Sequence, residues 1–310
     1  MSDKTKLSVL SGRPTIREYA QGAAQEATSE LATFIAPPVE VSKHTGKYKV
    51  YDEETRFKIP ETMRGLGGEA TIIRFDQDDE NYDCSPHAID SPLDNIEIEE
   101  EEGEALLMET ADEVAALAGL SHEKRVIDTA VANAPVIAEK GDWTDDAKDP
   151  VAELNDTIIN IMKAAGYGSM MQVGIVLPPS ALVVFFANAK VKGYFPGIEA
   201  IAPTLENFKK LLISADKTFT KVSWLSYDAA PKGKAKDKKF FLEDKLLAFA
   251  RLDKPTRRDP SFMKTFRVRG RWMMPGTYPR TDGRGEVVKM DWSEQVLLTN
   301  AAASEQYNIT

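Results

Sequence analysis

Between residues 150 and 166 apolar and polar positions alternate with a helical period, so that Val151, Leu154, Ile158 and Ile161 share one face. The ends of this element are marked as clearly as its face. Asp149 carries a carboxylate able to accept backbone N–H groups, Pro150 suits the first helical position, where no N–H is required, and Gly166 can close the helix in a left-handed conformation. Upstream, Gly141-Asp-Trp-Thr144 predicts a loop built around Trp143. Downstream, Gln172 to Leu177 reads as a compact buried strand, Pro178-Pro179 ends it, and a helix capped by Ser180 is predicted from Ala181 to about Lys190. Thr204 marks a further short helix through Leu212. Val222 to Tyr227 and Phe240 to Ala250 read as strands, and Glu286 to Met290 and Glu294 to Leu298 as two more after the Asp282-Gly283 turn.

The first half of the chain is patterned differently. An acidic run from Glu97 to Glu104 leads into Ala105, Leu106, Met108, Val114, Leu117 and Leu120 at helix-like intervals, which predicts a long, exposed helix with negative charge at its N-terminus. Gly119 is expected to interrupt it, and Ser121 to cap its continuation through Arg125, Val126 and Ala130. The first forty or so residues hold too few large apolar side chains for a core of their own and read as an arm. Within it Tyr19, Ala23, Ala27, Leu31 and Phe34 recur at helical spacing, which suits an amphipathic helix only if another surface covers it. From Ser42 to Asp90 the text is long, charged in both signs and strand-like. Tyr48, Val50 and Tyr51 open it, and Thr71, Ile72, Ile73 and Phe75 answer across a glycine-rich bend carrying Lys58, Glu61, Arg64 and Glu69. An isolated hairpin is marginal in water, so an excursion of this length without a core is expected to lie on a neighbour.

Composition removes several function classes. The chain has 310 residues, with 39 Lys plus Arg against 49 Asp plus Glu, a net charge of −10 and a pI near 5.1. That balance argues against generic attachment to nucleic acid. Cys84 is the single cysteine, which excludes an internal disulfide framework, and with no positive group beside it the thiol is expected to be inert. The start of the chain has no apolar secretion signal, and no apolar run approaches the roughly 20 residues needed to cross a bilayer, so a soluble protein made in the cytoplasm is expected.

Chemistry-bearing residues do not converge. His44, His87 and His122 are scattered, with neither metal-ligand spacing nor a nucleophile, and are expected to be surface or capping residues. Gly65-Leu-Gly-Gly68 neither follows a strand nor opens a helix, as a dinucleotide fingerprint must. Asp142, Asp145, Asp146 and Asp149 lack the spacing of a calcium loop and are explained by a turn and a helix cap. No catalytic, cofactor-binding or metal-binding residue is assigned. The lysine-rich stretch from Lys232 to Lys239 reads as a solvated hairpin loop. Arg267, Arg269 and Arg271 alternate with Phe266, Val268 and Trp272 around Gly270; a strand would set the three guanidinium groups on one face, where they are expected to pair with carboxylates of this or another subunit.

Taken in order, the segments resemble the major capsid proteins of tailed bacteriophages, which have the Hong Kong 97-type capsid fold. The features are an extended arm, a long charged hairpin, Ser91-Pro-Leu-Asp94 leading to a long helix, Trp143 followed by Asp149-Pro150 and a helix, Gly174-Ile-Val-Leu-Pro178, and an arginine and aromatic strand. The resemblance runs from about Phe34 onward, and it is the common order of these landmarks that carries it. It implies an α+β fold with an N-terminal arm at residues 1–45, an extended β-hairpin loop at 46–90 and a peripheral domain with a long spine helix at 91–174. An axial domain would follow at 175–260, and C-terminal strands at 261–310 would complete the packing. The Trp143 loop and Asp149 helix fall at the passage from the spine-helix region to the axial domain.

The same resemblance implies a structural protein, not an enzyme, that assembles with copies of itself as hexamers and pentamers into the icosahedral head shell around a dsDNA genome. It would be made in the host cytoplasm and reside in the virion. Inter-subunit contacts would come from Lys47, Lys58, Glu61, Arg64, Glu69 and Arg74 of the loop and from Arg267, Arg269 and Arg271. Further partners would be a scaffolding protein, the portal and a decoration protein, with packaged DNA touched weakly and non-specifically, since like charge discourages adhesion. No membrane, metal or cofactor is implied. The short lead before the fold suggests a separate scaffold or none. Some family members cross-link a loop lysine to an asparagine of another subunit; Lys43, Lys47, Lys49 and Lys58 lie in or near the loop, but no partner asparagine can be assigned. Two alternatives stand beside this reading: an encapsulin-type cellular compartment, which uses the same fold, and an Asp/Glu-dependent hydrolase, which requires a compact monomer with a convergent acidic cleft.

Overall fold

The computed structural model describes residues 31–51, 59, 62–64, 67–72, 77–100, 103–166, 170–195, 202–230, 234–257 and 259–309. A one-turn helix α1 (Ala32–Ile35) leads into strand β1 (Pro38–Val41); β2 (Thr45–Tyr51) and β3 (Gln77–Asp83) form a hairpin, and β4 (Ser85–Asp94) follows. Helices α2 (Asn95–Glu100), α3 (Glu104–Asn133) and α4 (Pro150–Ala165) come next, then β5 (Gln172–Leu177), α5 (Pro179–Ala187), α6 (Ala189–Gly193) and α7 (Leu205–Lys210). Strands β6 (Thr218–Val222), β7 (Ser226–Asp228), β8 (Lys238–Phe240), β9 (Lys245–Arg251), β10 (Met263–Val268), β11 (Met274–Pro279), β12 (Gly285–Leu298) and β13 (Ser304–Asn308) complete the chain.

Two sheets organise these elements. In the first, β1 lies parallel to β10, and β10 and β11 pair in succession with the two halves of β12, while β4 runs antiparallel to β12 over ten residue pairs. Here the sequence expectation of two strands is corrected: 286–290 and 294–298 belong to one 14-residue strand. Ser293 does not break it, because its N–H donates to Arg271 O (3.0 Å) across the gap between β10 and β11. The second sheet has the order β13-β9-β5-β6, so the end of the chain returns to close it. Of the lysine-rich stretch, 234–237 lie between β7 and β8 as expected, whereas Lys238 and Lys239 belong to β8, and 232–233 fall outside the described residues.

Helix α3 runs uninterrupted for 30 residues, about 45 Å at 1.5 Å per residue. The expected break at Gly119 is absent: one glycine costs only about 1 kcal/mol within a helix, and burial of Ala115, Ala118 and His122 around it outweighs that. The helix serves two cores. Leu107, Ala111, Val114 and Ala118 pack on Val288, Met290 and Trp292 of the first sheet, and Val126, Ile127 and Ala130 meet α1, Phe249 and Phe262 on one face of the second. Leu31 and Ala32 give their N–H groups to the buried Glu123 carboxylate (3.2 and 2.7 Å), so α1 is capped from α3.

The opposite face of the second sheet is covered by α4, α5 and α7 around a fully buried Trp143. Asp149 Oδ1 accepts from the N–H groups of Val151 (3.1 Å) and Ala152 (3.2 Å), Pro150 occupies the first turn, and Gly166 closes the helix at φ 66°, as the sequence predicts. Trp143 meets Phe185 and Tyr307 edge-on at 5.5 and 6.0 Å, and its Nε1–H donates to Glu153 Oε2 at 3.1 Å. Gly141, at φ 93°, lets the loop close on the last strand, because a Cβ there would sit 1.8 Å from Asn308 O. Asp142 N and Trp143 N then donate to Asn308 O and Ile309 O, both at 2.9 Å. Helix α5 differs from expectation at its start: it has no side-chain cap, and Ser180 Oγ instead donates to Glu243 O (3.0 Å). It ends at Ala187, where Asn188 caps α6.

Candidate functional site

The β2–β3 hairpin is fixed at its base and open beyond it. Tyr48 and Tyr82 are buried against Phe266 of β10, with ring centroids 5.4 and 5.1 Å from it, and Val39, Val41, Cys84 and Val268 close the cluster. Gly46 leaves the space that the Tyr82 ring fills; a Cβ there would lie 2.5 Å from its hydroxyl. Tyr48 Oη donates to Glu80 Oε2, the cross-strand partner, and burial together with that carboxylate raises the phenol above its ordinary value. Cys84 is buried, and burial with Asp83 and Glu294 nearby pushes its thiol up to about 11, in keeping with an inert role. The register differs from the sequence reading. Tyr48 and Tyr51 stand opposite Glu80 and Gln77, not residues 71–75, because Tyr82 and Cys84 are the apolar positions that share the anchored face.

Beyond that base three large apolar side chains stand in solvent: Ile59, Met63 and Ile72 are 97%, 88% and 83% exposed. Among the sequence-predicted contact residues, Lys47 is exposed in β2, and Arg64 and Glu69 are exposed in the excursion. Lys58, Glu61 and Arg74 lie outside the described residues. The exposed apolar trio was not singled out from sequence, although strand-like alternation around Ile72 held the signal.

The arginine segment does not present one face, which corrects the sequence expectation. Strand β10 ends at Val268, and Gly270 turns the backbone at φ 70°. Only Arg267 points inward, 9% exposed, so it is not available to a neighbouring subunit. Its guanidinium carbon stands 3.3 Å from the Trp272 ring centroid and its Nη2 3.2 Å from His122 Nε2. Burial lowers its pKa to about 10, with Glu294 and Glu123 opposing that shift. Arg269 is exposed and pairs with Glu40 Oε2 at 3.0 Å, and Arg271 is exposed after the turn. Pairing with carboxylates of the same subunit therefore holds for Arg269.

His122 is also corrected: it is fully buried, not a surface or capping residue. Its Nδ1 lies 2.7 Å from Glu294 Oε2, and the other oxygen of Glu294 accepts from Trp292 Nε1 (3.1 Å) and pairs with Arg125. Burial lowers the His122 pKa, and although burial alone would raise the Glu294 carboxyl, His122, Arg125 and Trp292 hold it below the usual range. A neutral imidazole can accept from Arg267 through Nε2 while its Nδ1 faces the Glu294 carboxylate. This network ties α3 to β10 and β12. Asp142, Asp145, Asp146 and Asp149 are committed to turns and caps, Asp146 accepting from Ala189 N at 2.9 Å. Among the described residues no three His, Cys, Asp or Glu are grouped to hold a metal ion, and no helix is long and apolar enough to cross a membrane.

The geometry is that of a tile: two sheets joined by one long helix, with a hairpin reaching past the body. The chain superposes over 96% of its length on 96% of a phage-related protein from Bordetella bronchiseptica RB50, with TM-score 0.70 and 16% identity. It superposes over 90% of its length on 87% of a subunit of the mature capsid of bacteriophage PhiM1, with TM-score 0.56 and 9% identity. In sequence it is 24% identical over 146 residues to the major capsid protein of Pseudomonas phage JBD67, a match covering 44% of this chain and 47% of that protein. The chain thus matches about half the length of this curated relative. No family model matches. The fold is that of phage capsid subunits, α+β and consistent with the Hong Kong 97 type, as the resemblance implied.

Proposed function

We propose that the chain is a major capsid protein, self-assembling through hexamers and pentamers into the icosahedral head shell that encloses the dsDNA of a tailed phage. Its role is structural rather than catalytic, and its place is the virion. One observation carries the reading beyond the fold: the hairpin is anchored by Tyr48 and Tyr82 against Phe266 yet displays Ile59, Met63 and Ile72 almost wholly to solvent. Apolar side chains displayed on a reaching element mark a contact to be completed elsewhere, and many such weak contacts repeated over a closed shell add to one stable particle.

In this reading α3 is the spine of a peripheral domain built on the first sheet. The second sheet with α4 to α7 is the axial domain, and β13 belongs to it. Lys47, Arg64, Glu69, Arg269 and Arg271 are inter-subunit contacts, with Arg267 kept for the interior. Scaffold, portal and decoration proteins are further partners, and DNA is touched only weakly.

The test is a loop replacement. Deleting the whole of 46–90 would remove β3 and most of β4, which pairs with β12, so the cut must be narrower. Since Tyr51 and Gln77 are paired, residues 52–76 can be replaced by Asn-Gly, which favours a two-residue hairpin turn. The expected product has the thermal midpoint of the parent and forms no particles by sedimentation and electron microscopy. Particles at parental yield would overturn the role of the hairpin. A parent that stays monomeric across salt and with co-expressed phage proteins would overturn the shell reading itself, and particles carrying an enzyme cargo in uninfected cells would favour the compartment alternative.

A further inference from the structure

The face of the second sheet that receives α1 is left uncovered at one edge, and there a pocket of about 450 Å³ opens. Its walls are two aromatic rings, Phe34 and Phe219, and its charged groups are Lys209, Lys221 and Arg251 against a single carboxylate, Asp253. That is an excess of two positive charges in a chain whose net charge is −10. Arg251 lies over Phe34 and Phe219 at 4.6 and 5.5 Å, and Lys221 over Phe34 at 5.2 Å. The Arg251 side chain is 11% exposed; it pairs with Asp253 (2.8 Å) and donates through Nη1 to Gln172 Oε1 (3.3 Å). The recess is therefore built for an anion with an apolar companion. A duplex phosphate fits it poorly, because the backbone of a stiff cylinder cannot enter a recessed pocket between two rings, whereas a carboxylate on a flexible side chain can.

The densest run of carboxylates in the chain lies between Glu97 and Glu104, with six glutamates in eight residues. At its start, α2 displays Ile96 at 65% exposure beside the exposed Glu97 and Glu99. This helix packs on β4, β12 and α3 of the first sheet, whereas the pocket belongs to the second. We propose that the Phe34–Phe219–Arg251 pocket receives the Ile96–Glu99 segment of a second copy, the isoleucine against the exposed Phe219 ring and a glutamate on the Arg251 and Lys209 cations. The contact is heterologous, pocket to helix, and so propagates from copy to copy as a ring or shell requires. It also offsets the repulsion between copies of like net charge. The inference rests on the self-assembly reading.

The test uses the purified full-length chain and a fluorescein-labelled peptide of residues 93–104. Fluorescence anisotropy is expected to show saturable binding, weakened at least about tenfold by Arg251→Glu and by Lys209→Glu, and reduced by added salt. Ile96→Ser in the peptide weakens it as well. Lys209 lies at the pocket rim and has no ion pair among the described residues, so its variant reports even where Arg251→Glu folds poorly. In assembly, Glu97→Arg with Glu99→Arg is expected to lower particle yield and the combination with Arg251→Glu and Lys209→Glu to recover it. Absence of saturable peptide binding, parental affinity in both pocket variants, or duplex DNA binding that those variants abolish while the peptide does not bind would each overturn the proposal. A chain that binds the peptide in this way yet never forms particles would leave the contact standing and remove the shell reading. Particles formed at parental yield by both pocket variants would do the reverse.

Discussion

The Trp143 loop with α4 and the β2–β3 hairpin are built by similar means and end in opposite states. Each is held by a buried aromatic side chain and by a glycine that allows a close approach: Trp143 follows Gly141, which closes on Asn308, and Tyr82 lies over Gly46. In the first, the loop closes completely. The indole is fully buried, its N–H meets Glu153, and the neighbouring backbone is bonded to the last strand. In the second, burial stops at the base, and the far end shows three large apolar side chains to solvent. The difference separates two kinds of element: one whose contacts are complete within a subunit and sets its shape, and one that leaves apolar side chains exposed, which in the proposed shell meet another copy. If that is right, changes in the first should act through stability and changes in the second through association.

The largest effect expected on that ground is Trp143→Ala. Truncation leaves a void between Phe185 and Tyr307 and removes the donor to Glu153, and should cost about 3–5 kcal/mol in urea denaturation. Met63→Ser with Ile72→Ser should leave the same measurement within about 0.5 kcal/mol of the parent while lowering particle yield, since neither side chain is covered in the subunit. A double variant as unstable as Trp143→Ala would break the comparison, because the tip would then have to pack on its own body.

The two regions were also unequally legible. The capped helix α4 could be read to the residue, since Asp149, Pro150 and Gly166 act through local backbone geometry and need no distant partner. The hairpin was legible as an excursion but not in register, because the choice of Gln77–Asp83 over residues 71–75 depends on Phe266, more than 180 positions away, accepting Tyr82 and Tyr48. The same holds for the interior. Gly119 and Ser121 look like punctuation until the first sheet and the second core are seen to bury both halves of α3. His122, Arg267 and Glu294 lie on three separate elements, and only their juxtaposition makes them one buried network. Periodicity finds surfaces and caps; it cannot find which polar groups will be brought together inside.

That network offers a smaller effect with a defined sign. His122 has a lowered pKa in the fold, so the unfolded chain binds the proton more readily, and stability contributed at neutral pH is lost as pH falls below the imidazole's ordinary 6.5. Glu294, with its carboxyl held below the ordinary 4.5, adds a loss in the same direction at lower pH, as the carboxylate is protonated through its folded value. His87, stacked on Trp292 and likewise lowered by burial, contributes with the sign of His122. Denaturation midpoints should therefore fall between pH 7.5 and pH 5.5. In His122→Gln the fall should shrink, whatever the variant's stability at pH 7.5. An unchanged slope would assign the pH dependence elsewhere and leave the buried network as packing alone.

The smallest effect separates the two outer arginines from the inner one. Arg269 and Glu40 are 78% and 62% exposed in their side chains, and a pair so placed is screened by water. Arg269→Ala should therefore change the denaturation free energy by less than about 0.5 kcal/mol. Arg267→Ala, which empties the space over Trp272 and strips His122 Nε2 of its donor, should be clearly destabilising in the same assay. The informative measurement on Arg269→Ala is instead particle yield as a function of salt. If Arg269 meets a neighbouring copy, the variant should lose yield at low salt and converge on the parent at high salt, where its charge no longer counts. Parental yield at every salt concentration would confine this side chain to its pair with Glu40 and remove it from the contact set. A loss of stability comparable with Arg267→Ala would say that β1 and β10 are joined at this edge by more than a surface ion pair, and would move the residue to the scaffold side of the comparison.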